Sequence, residues 1–328
     1  MQELTSDLIK LAKEKLASGA VQTVIGWRRG LFDEDVTPST FKDAADLEKN
    51  FVFNKFCKAN LSKYLVKITR AIETAKTTTK TNNAMAKQRD PNAVDKPIPQ
   101  EKVLVFMKPG DSHSFCQLLK ENRIARDDVY VVAVPCACEM DPDVKEGEGC
   151  DHCRNKKHVI YDEAFGKARE EAIGDAARFE GVEKIAAMSA DERHEFWKNE
   201  FARCIRCNAC RDVCPACTCE KCVFDNNNLY TSQKVAQVPF EESLYHIIRA
   251  WHVAGRCTDC GECSRVCPEH IPLHLLNRKF VKDIDEIYGP YIAGSDMETK
   301  PPMLTWTAGD AEPSVVWERS PEEEGGQD

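Results

Sequence analysis

The sequence CIRCNACRDVCP, residues 204–215, recurs with the same spacing as CTDCGECSRVCP, residues 257–268. Both stretches read C-x2-C-x2-C-x3-C-P, in which three thiolates hold one [4Fe-4S] cluster and the fourth reaches across to the neighbouring cluster. The proline has a fixed φ and no N–H, which suits a chain that leaves the site in a turn. The spacing therefore predicts two clusters, held by Cys204, Cys207, Cys210 and Cys267 for cluster one and by Cys257, Cys260, Cys263 and Cys214 for cluster two.

A pair of zinc sites is the alternative for these cysteines. Structural zinc takes four ligands, typically a C-x2-C pair and a second pair some distance along the chain. Four thiols followed by proline, twice over, do not match that arrangement. We therefore expect a mostly helical C-terminal domain of the bacterial 2[4Fe-4S] ferredoxin type.

The bulk composition bounds the class of protein. The chain has 328 residues, enough for two or three domains, and 42% of them are hydrophobic, enough to build apolar cores. It also contains 17 cysteines. With no apolar signal segment near residue 1, so many cysteines indicate metal ligation in a reducing, cytoplasmic compartment. The sequence has no run of about 18 apolar residues, so we expect no direct membrane insertion. The net charge of −9 disfavours nucleic acid as a ligand.

The first 165 residues predict an α/β domain. Leu4, Leu8 and Leu11 share one face of a first helix, and residues 21–27 follow as a strand. Residues 71–101 lose periodicity, so we expect a long loop there, and its basic part, residues 76–89, should be a solvated loop.

A strand–helix–strand unit follows that loop. The apolar runs 103–107 and 129–134 flank a helix carrying Phe115, with residues 108–112 as the loop before it. This length predicts a right-handed parallel βαβ unit. The loops that follow the two strands should meet at one edge of the sheet, where open parallel sheets place their ligands.

The C-terminal half predicts helices that lead into the cysteine runs. Ser189 and Glu192 form a capping box for a helix that runs to Cys204. A second helix begins near residue 239, carries an apolar stripe and ends near Gly255. The stripe consists of Leu244, Ile247, Ile248 and Trp251. The predicted domains are residues 1–165, 166–285 and 286–328, the last an extended, partly disordered acidic tail.

Nine further cysteines lie outside the two runs. Cys136, Cys138, Cys150 and Cys153 surround an acidic, glycine-bearing loop that can bring them onto one metal, so we expect a third site. A third [4Fe-4S] cluster, a structural zinc and plain thiols all remain open there. Cys57 could complete that site or pack in the core, whereas Cys116 fits a core position. The run Cys217, Cys219 and Cys222 could hold an additional cluster or remain reduced thiols.

Signatures of bond-making catalysis are absent from the sequence. It contains no Ser-His-Asp set, no H-E-x-x-H and no Walker motif, and residues 108–112 give only a weak phosphate-binding signal. We interpret His113, His152, His246 and His252 as packed or solvated side chains, since no carboxylate is paired with them in the sequence. We therefore predict no catalytic residue.

Several of these features together resemble a known family. They are the two cysteine runs, the V-x-V-P-C turn at residues 132–136, the C-x2-C followed by VIYDEAFG at 159–166, and the helix EFWKNEFARC at 195–204. Over roughly residues 20–285 the chain resembles iron–sulfur proteins related to the beta subunit of deazaflavin-reducing hydrogenases and formate dehydrogenases.

The resemblance carries its own expectations. It implies a third [4Fe-4S] cluster held by Cys136, Cys150 and Cys153, completed by Cys57 or Cys138, and FAD as a possible cofactor. It also implies an electron-transfer subunit of an anaerobic complex. Its partners would be other subunits, one dehydrogenase- or hydrogenase-like, the other flavin-bearing or heterodisulfide-reductase-like. The alternative is a flavin-bearing, diaphorase-like subunit that reduces a soluble hydride carrier.

Overall fold

The computed structural model describes residues 2–136, 157–166, 178–225, 239–302 and 305. Within these ranges an α/β part precedes a mostly helical part that carries both cysteine runs, which confirms the predicted fold class. The helices of the first part are α1 (Gln2–Ala17), α2 (Ala44–Asn50), α3 (Ser62–Arg89) and α4 (Pro109–Lys120). A 3-10 turn spans Arg126–Asp128.

A mixed sheet forms the centre of the first part. Its strands are β1 (Thr23–Arg29), β2 (Val36–Phe41), β3 (Val103–Met107), β4 (Val129–Ala133) and β5 (Glu163–Ala164), in the order β2-β1-β3-β4-β5. β2 is antiparallel to β1, and the other neighbouring strands are parallel. All five residues of β3 are buried, as in a parallel strand covered on both faces. The unit β3-α4-β4 is the predicted βαβ unit.

The long loop predicted over residues 71–101 is wrong for its first two thirds. α3 continues as a helix to Arg89, and its C-terminal half, including the basic window, is an exposed helix surface. The buried residues Leu65, Val66 and Ile72 anchor its N-terminal half. Farther along, Asn83 exchanges two hydrogen bonds with the backbone of Lys96, so the returning chain supports the polar half.

The predicted loop at residues 108–112 is also wrong, because α4 begins at Pro109. Proline suits the first helical position, where its missing N–H would have no partner in the helix. Asp111 accepts a hydrogen bond from the backbone N–H of Lys108 at 3.5 Å, which caps the first turn. Both side chains are buried.

The second part is built from helices around the cysteine runs. They are α5 (Glu180–Ala186), α6 (Ala190–Ala202), α7 (Ala209–Asp212), α8 (Pro239–His252), α9 (Glu262–Arg265) and α10 (Leu273–Tyr288), with a 3-10 turn at Val223–Asp225. The predicted capping box is confirmed: Ser189 Oγ accepts from the backbone N–H of Glu192, and the Glu192 carboxylate accepts from that of Ser189. α6 thus ends directly before Cys204.

The helix predicted near residue 239 is confirmed as α8, but the apolar stripe does not form its buried face. Leu244, Ile247 and Trp251 are 36%, 43% and 65% exposed. The buried face instead carries polar groups, namely Glu242, Tyr245, His246 and Arg249. The helix packs these polar side chains against the cysteine runs, which accounts for the reversal.

The chain after α10 returns to the α/β part. Tyr291 and Ala293 are buried, and Tyr291 Oη donates to Gln117 Oε1 on α4 at 3.4 Å. Residues 303–304 and 306–328, which include most of the predicted acidic tail, lie outside the described residues, and the domain boundaries at 165 and 285 stay predictions. In the part of the chain that is described, no helix combines the length and apolarity needed to cross a bilayer.

Candidate metal centre

The two cysteine runs have the same backbone conformation. In the first run, Arg206 and Asn208 flank Cys207 with positive φ of 56° and 63°. In the second, Asp259 and Gly261 flank Cys260 with φ of 55° and 72°. Left-handed residues beside right-handed ones turn backbone N–H groups into one concavity, an arrangement that recurs at anion and iron–sulfur sites. Both loops are therefore shaped for an anionic group.

A short helix follows each loop at the equivalent position. α7 begins after Asn208 and α9 begins after Gly261. Each carries the third cysteine of its run, Cys210 or Cys263, and both thiols are buried in one apolar cluster with Phe201. The repeat in the sequence is thus a repeat in the structure.

A buried ion pair fastens each loop to a long helix. Arg206 Nε donates to Glu242 on α8 at 3.1 Å, and Arg278 on α10 donates to Asp259 at 2.8 Å. The loop residue of each pair lies directly before the second cysteine of its run. This residue is the cation in the first run (Arg206) and the anion in the second (Asp259). Breaking a buried pair leaves an uncompensated charge, so each anchor holds its loop in place.

The cysteines predicted for cluster one surround one cavity. Its walls include Cys204, Cys207, Cys210 and, from the second run, Cys267. Cys207 is exposed, whereas the other three are buried. A ligand set drawn from both runs is the crosswise arrangement that the spacing predicts.

Cys214 lies among the cysteines predicted for cluster two. Burial raises the pKa of Cys257, Cys260 and Cys263, and the neighbouring Cys214 thiol raises each of them further. For Cys263 the pKa reaches about 12. Thiols this costly to ionise in a protein interior become thiolates readily when a metal takes the charge. The residues present therefore fit clusters in both places, although the ligand sets stay predictions.

Sequence reasoning missed a polar group beside cluster one. Ligand atoms of Cys204, Glu242 and His246 lie within 4.8 Å of one another, and all three residues are buried. His246 stacks on Phe201 with ring centroids 4.7 Å apart, and burial followed by the charge of Arg249 lowers its pKa to about 3. The spacing of four residues between Glu242 and His246 on one helix was the available signal. Cys204 belongs both to this group and to the cysteines predicted for cluster one, so the group is part of that metal centre.

Only part of the predicted third site is described. Cys138, Cys150, Cys153 and His152 lie outside the described residues, whereas Cys136 follows β4 and is half-buried. The thiol of Cys136 acts on the pKa of Lys108, so it lies near the carboxyl edge of the sheet. The metal and its ligands stay predictions.

Cys57 and Cys116 are both core residues by burial. Cys57 Sγ accepts a hydrogen bond from Asn54 N at 3.2 Å, and burial raises its pKa to about 12. The backbone oxygen of Cys57 accepts from Lys108 Nζ at 3.0 Å, so this thiol too lies close to the carboxyl edge. Cys116 Sγ donates a hydrogen bond to the backbone oxygen of Asp296 at 3.1 Å.

The remaining thiols face a large cavity between the two parts of the chain. Its volume is about 860 Å³, and Cys217, Cys219 and Cys222 line it together with α3 and β2. Lys63 Nζ donates to the Cys217 oxygen, and Arg211 pairs with Asp225 at 2.6 Å. The cations on its walls are Lys63, Lys67, Arg70, Arg211, Arg249 and Arg256, against the carboxylates of Asp212, Glu220 and Asp225.

The family comparison decides the nature of this centre. The model of the 4Fe-4S dicluster domain matches residues 200–271, the segment that contains both loops. Residues 200–271 are a 4Fe-4S dicluster domain. Both repeated loops and their eight cysteines lie within this domain.

Two curated relatives extend the comparison beyond the dicluster domain. The F420-dependent formate dehydrogenase subunit beta of Methanocaldococcus jannaschii is 31% identical over 143 residues, 41% of this chain and 36% of the relative. The F420-dependent formate dehydrogenase 1 subunit beta of Methanococcus maripaludis is 32% identical over 109 residues, 33% of this chain and 27% of the relative. The chain spans about a third of the length of these relatives. It is an iron–sulfur protein related to such beta subunits.

Proposed function

We propose that the protein is an electron-transfer subunit of a cytoplasmic, anaerobic redox complex. It would pass single electrons between a catalytic dehydrogenase- or hydrogenase-like partner and a flavin-bearing or heterodisulfide-reductase-like partner. The observation that carries this proposal is the cavity whose walls combine Cys204, Cys207 and Cys210 with Cys267 from the second run. Bound [4Fe-4S] clusters supply one-electron chemistry, so the side chains need only hold, orient and shield them.

The positions of the thiols support an order of the metal sites along the proposed electron path. Cys207 is exposed, so cluster one has an edge toward solvent and toward a docked partner. The loop of cluster two carries Glu262, which is buried against Lys108 at the carboxyl edge of the sheet. Cys136 of the predicted third cluster lies near the same lysine. The proposed order is therefore cluster one, cluster two, and then the third site.

A second candidate function rests on the large cavity. Pockets for drug-sized ligands and cofactors usually measure about 300–1,000 Å³, and the cavity of about 860 Å³ lies within that range. Its excess of cations favours a phosphate-bearing cofactor, and Tyr64 and Phe224 add aromatic surface. These features support FAD and a diaphorase-like subunit that reduces a hydride carrier.

The cofactor content of anaerobically purified protein tests both candidates. We expect iron and acid-labile sulfide in equal amounts, about eight of each per chain for two clusters or about twelve for three. Replacing Cys207 with serine should remove about four iron atoms, whereas Cys116→Ser, a buried thiol far from both runs in sequence, should remove none. Zinc without sulfide would refute the electron-transfer proposal. Flavin released on denaturation at about one per chain would favour the diaphorase-like subunit.

A further inference from the structure

Arg249 is a buried cation with too few partners. It projects from the buried face of α8 and is 3% exposed. One nitrogen, Nη2, donates to Asn277 Oδ1 at 3.3 Å. Its Nε and Nη1 are buried without any hydrogen-bond acceptor among the described residues. The guanidinium therefore carries free donors in the protein interior.

This arrangement is unlike that of the other buried arginines in the described ranges. Arg178, Arg206 and Arg278 each pair with a carboxylate, at 3.7, 3.1 and 2.8 Å. Taking an unpaired charge out of water is unfavourable, and leaving its hydrogen-bond donors unsatisfied adds to that cost. A negative group near Arg249 is thus required to make its burial favourable.

The groups around Arg249 identify that negative charge. Burial raises the pKa of Cys210, a predicted ligand of cluster one, and of Cys263, a predicted ligand of cluster two, and the charge of Arg249 opposes that rise in both. A hydrogen bond from Cys217 lowers the pKa of Cys214, also predicted for cluster two, and the charge of Arg249 adds to that effect. Its partner Asn277 in turn donates to Cys263 Sγ at 3.6 Å. Arg249 therefore lies near thiols from the predicted ligand sets of both clusters. A cubane held by four thiolates is an anion, and it gains one further negative charge, with no proton, when it is reduced.

We propose that Arg249 is a redox-tuning residue, which places a fixed positive charge near the two clusters and donates its free N–H groups to cluster sulfur. Net charge and hydrogen bonds to sulfur are two of the factors that set cluster potentials. Because the reduced cluster carries more negative charge, Arg249 stabilises it more than the oxidised cluster and raises the reduction potential. This inference rests on the proposed electron-transfer function.

The test compares three variants of the full-length protein by anaerobic potentiometric titration with EPR detection. Arg249→Met removes the charge and keeps much of the volume, whereas Arg249→Lys keeps the charge and loses the planar fork. Lys10→Met removes a cation from an exposed position on α1, outside both cavities, and serves as the control. Iron and sulfide are measured for each preparation beforehand.

We expect Arg249→Met to shift the one-electron equilibrium of at least one cluster about tenfold toward the oxidised form, which is about 59 mV. The reduction potentials of Arg249→Lys should lie closer to those of the wild type. The potentials of the control variant should equal those of the wild type. A fully loaded Met variant with unchanged potentials would overturn the inference. If the Met variant loses its iron, the Lys variant decides: retained iron supports the role of charge, and lost iron contradicts it. Zinc in the wild-type protein would instead defeat the proposed function.

Discussion

Lys108 and Glu262 form a buried ion pair between the two parts of the chain, with Nζ and Oε1 3.3 Å apart. Lys108 follows β3, and Glu262 lies within the second cysteine run. Nζ of Lys108 also donates to the oxygens of Cys57 and Ala59 at 3.0 Å, and the other carboxylate oxygen of Glu262 accepts from Ala59 N at 3.1 Å. The carboxyl edge of the sheet is therefore fixed to the loop of cluster two.

Removing one partner of this pair should destabilise the protein strongly. Burial alone would lower the pKa of Lys108, but the charges of Asp111 and Glu262 outweigh it and keep the ammonium charged. Lys108→Met leaves Glu262 buried without this cation, and such changes typically cost about 3–5 kcal/mol of unfolding free energy. Urea unfolding under anaerobic conditions measures the loss.

The exposed pair between Lys13 and Glu48 provides the control, since exposed pairs contribute at most about 1 kcal/mol and Lys13→Met should cost no more. The double variant Lys108→Met/Glu262→Gln should cost less than the sum of the two single changes. Strict additivity would mean that the two side chains are not coupled.

Crosswise ligation predicts a distinctive result for double cysteine variants. Cys214→Ser should remove one cluster, about four iron atoms per chain. Adding Cys260→Ser should remove no more, because both thiols are predicted to hold cluster two. Adding Cys207→Ser instead should remove the second cluster as well. Iron and sulfide analysis of the three proteins checks this.

Ligation within each run would reverse that pattern. Cys214 and Cys207 would then hold the same cluster, so their double variant would lose about four iron atoms and the pair with Cys260 about eight. The two outcomes cannot be confused, since each double variant serves as the control for the other.

The sequence predicted the metal loops better than the helices around them. Cysteine spacing is a local constraint on a loop, so both runs and the cap at Ser189 could be read directly. The inward face of α8 could not, because apolar periodicity assumes an apolar neighbour. Here the neighbouring surface consists of the two cysteine runs, where polar and charged groups are needed. Glu242 and Arg249 are therefore buried against them, while Trp251 is exposed.

The helix α3 shows a second reason for such errors. The threonine- and asparagine-rich stretch that follows Ala75 has weak helix propensity, and composition alone predicted a loop. The helix persists because Leu65 and Ile72 anchor it and because Asn83 binds the returning backbone at Lys96. Contacts of this kind join residues that are distant in the sequence, so local sequence patterns do not predict them.

Asp111 should make stability fall as the pH rises toward neutrality. Burial raises its pKa from 3.8 to about 7, against the opposing charge of Lys108. Between these two values the folded state binds a proton that the unfolded state has released. The stabilisation is therefore complete below about pH 3.8 and is lost as the pH rises through about 7.

The Asp111→Asn variant should remove this part of the pH dependence. Urea midpoints measured from pH 5 to pH 8 should fall less steeply for the variant than for the wild type. Asp46→Asn is the matched control: Arg28 holds the pKa of Asp46 at about 2, so this carboxyl does not titrate in the measured range. Equal slopes for the wild type and Asp111→Asn would show that Asp111 is already ionised at pH 5.

The third site should depend on Cys150 and not on Cys57. Cys57 is 3% exposed and its thiol accepts a hydrogen bond from Asn54 N, so we expect it to remain a core residue and Cys138 to be the fourth ligand. Cys57→Ala should keep all iron while lowering the unfolding free energy by about 1 kcal/mol for the small cavity it leaves. Cys150→Ser and Cys138→Ser should each lose about four iron atoms, or one zinc if the site is structural. Iron loss in Cys57→Ala with iron retained in Cys138→Ser would make Cys57 the ligand, and would mean that its loop opens to reach the metal.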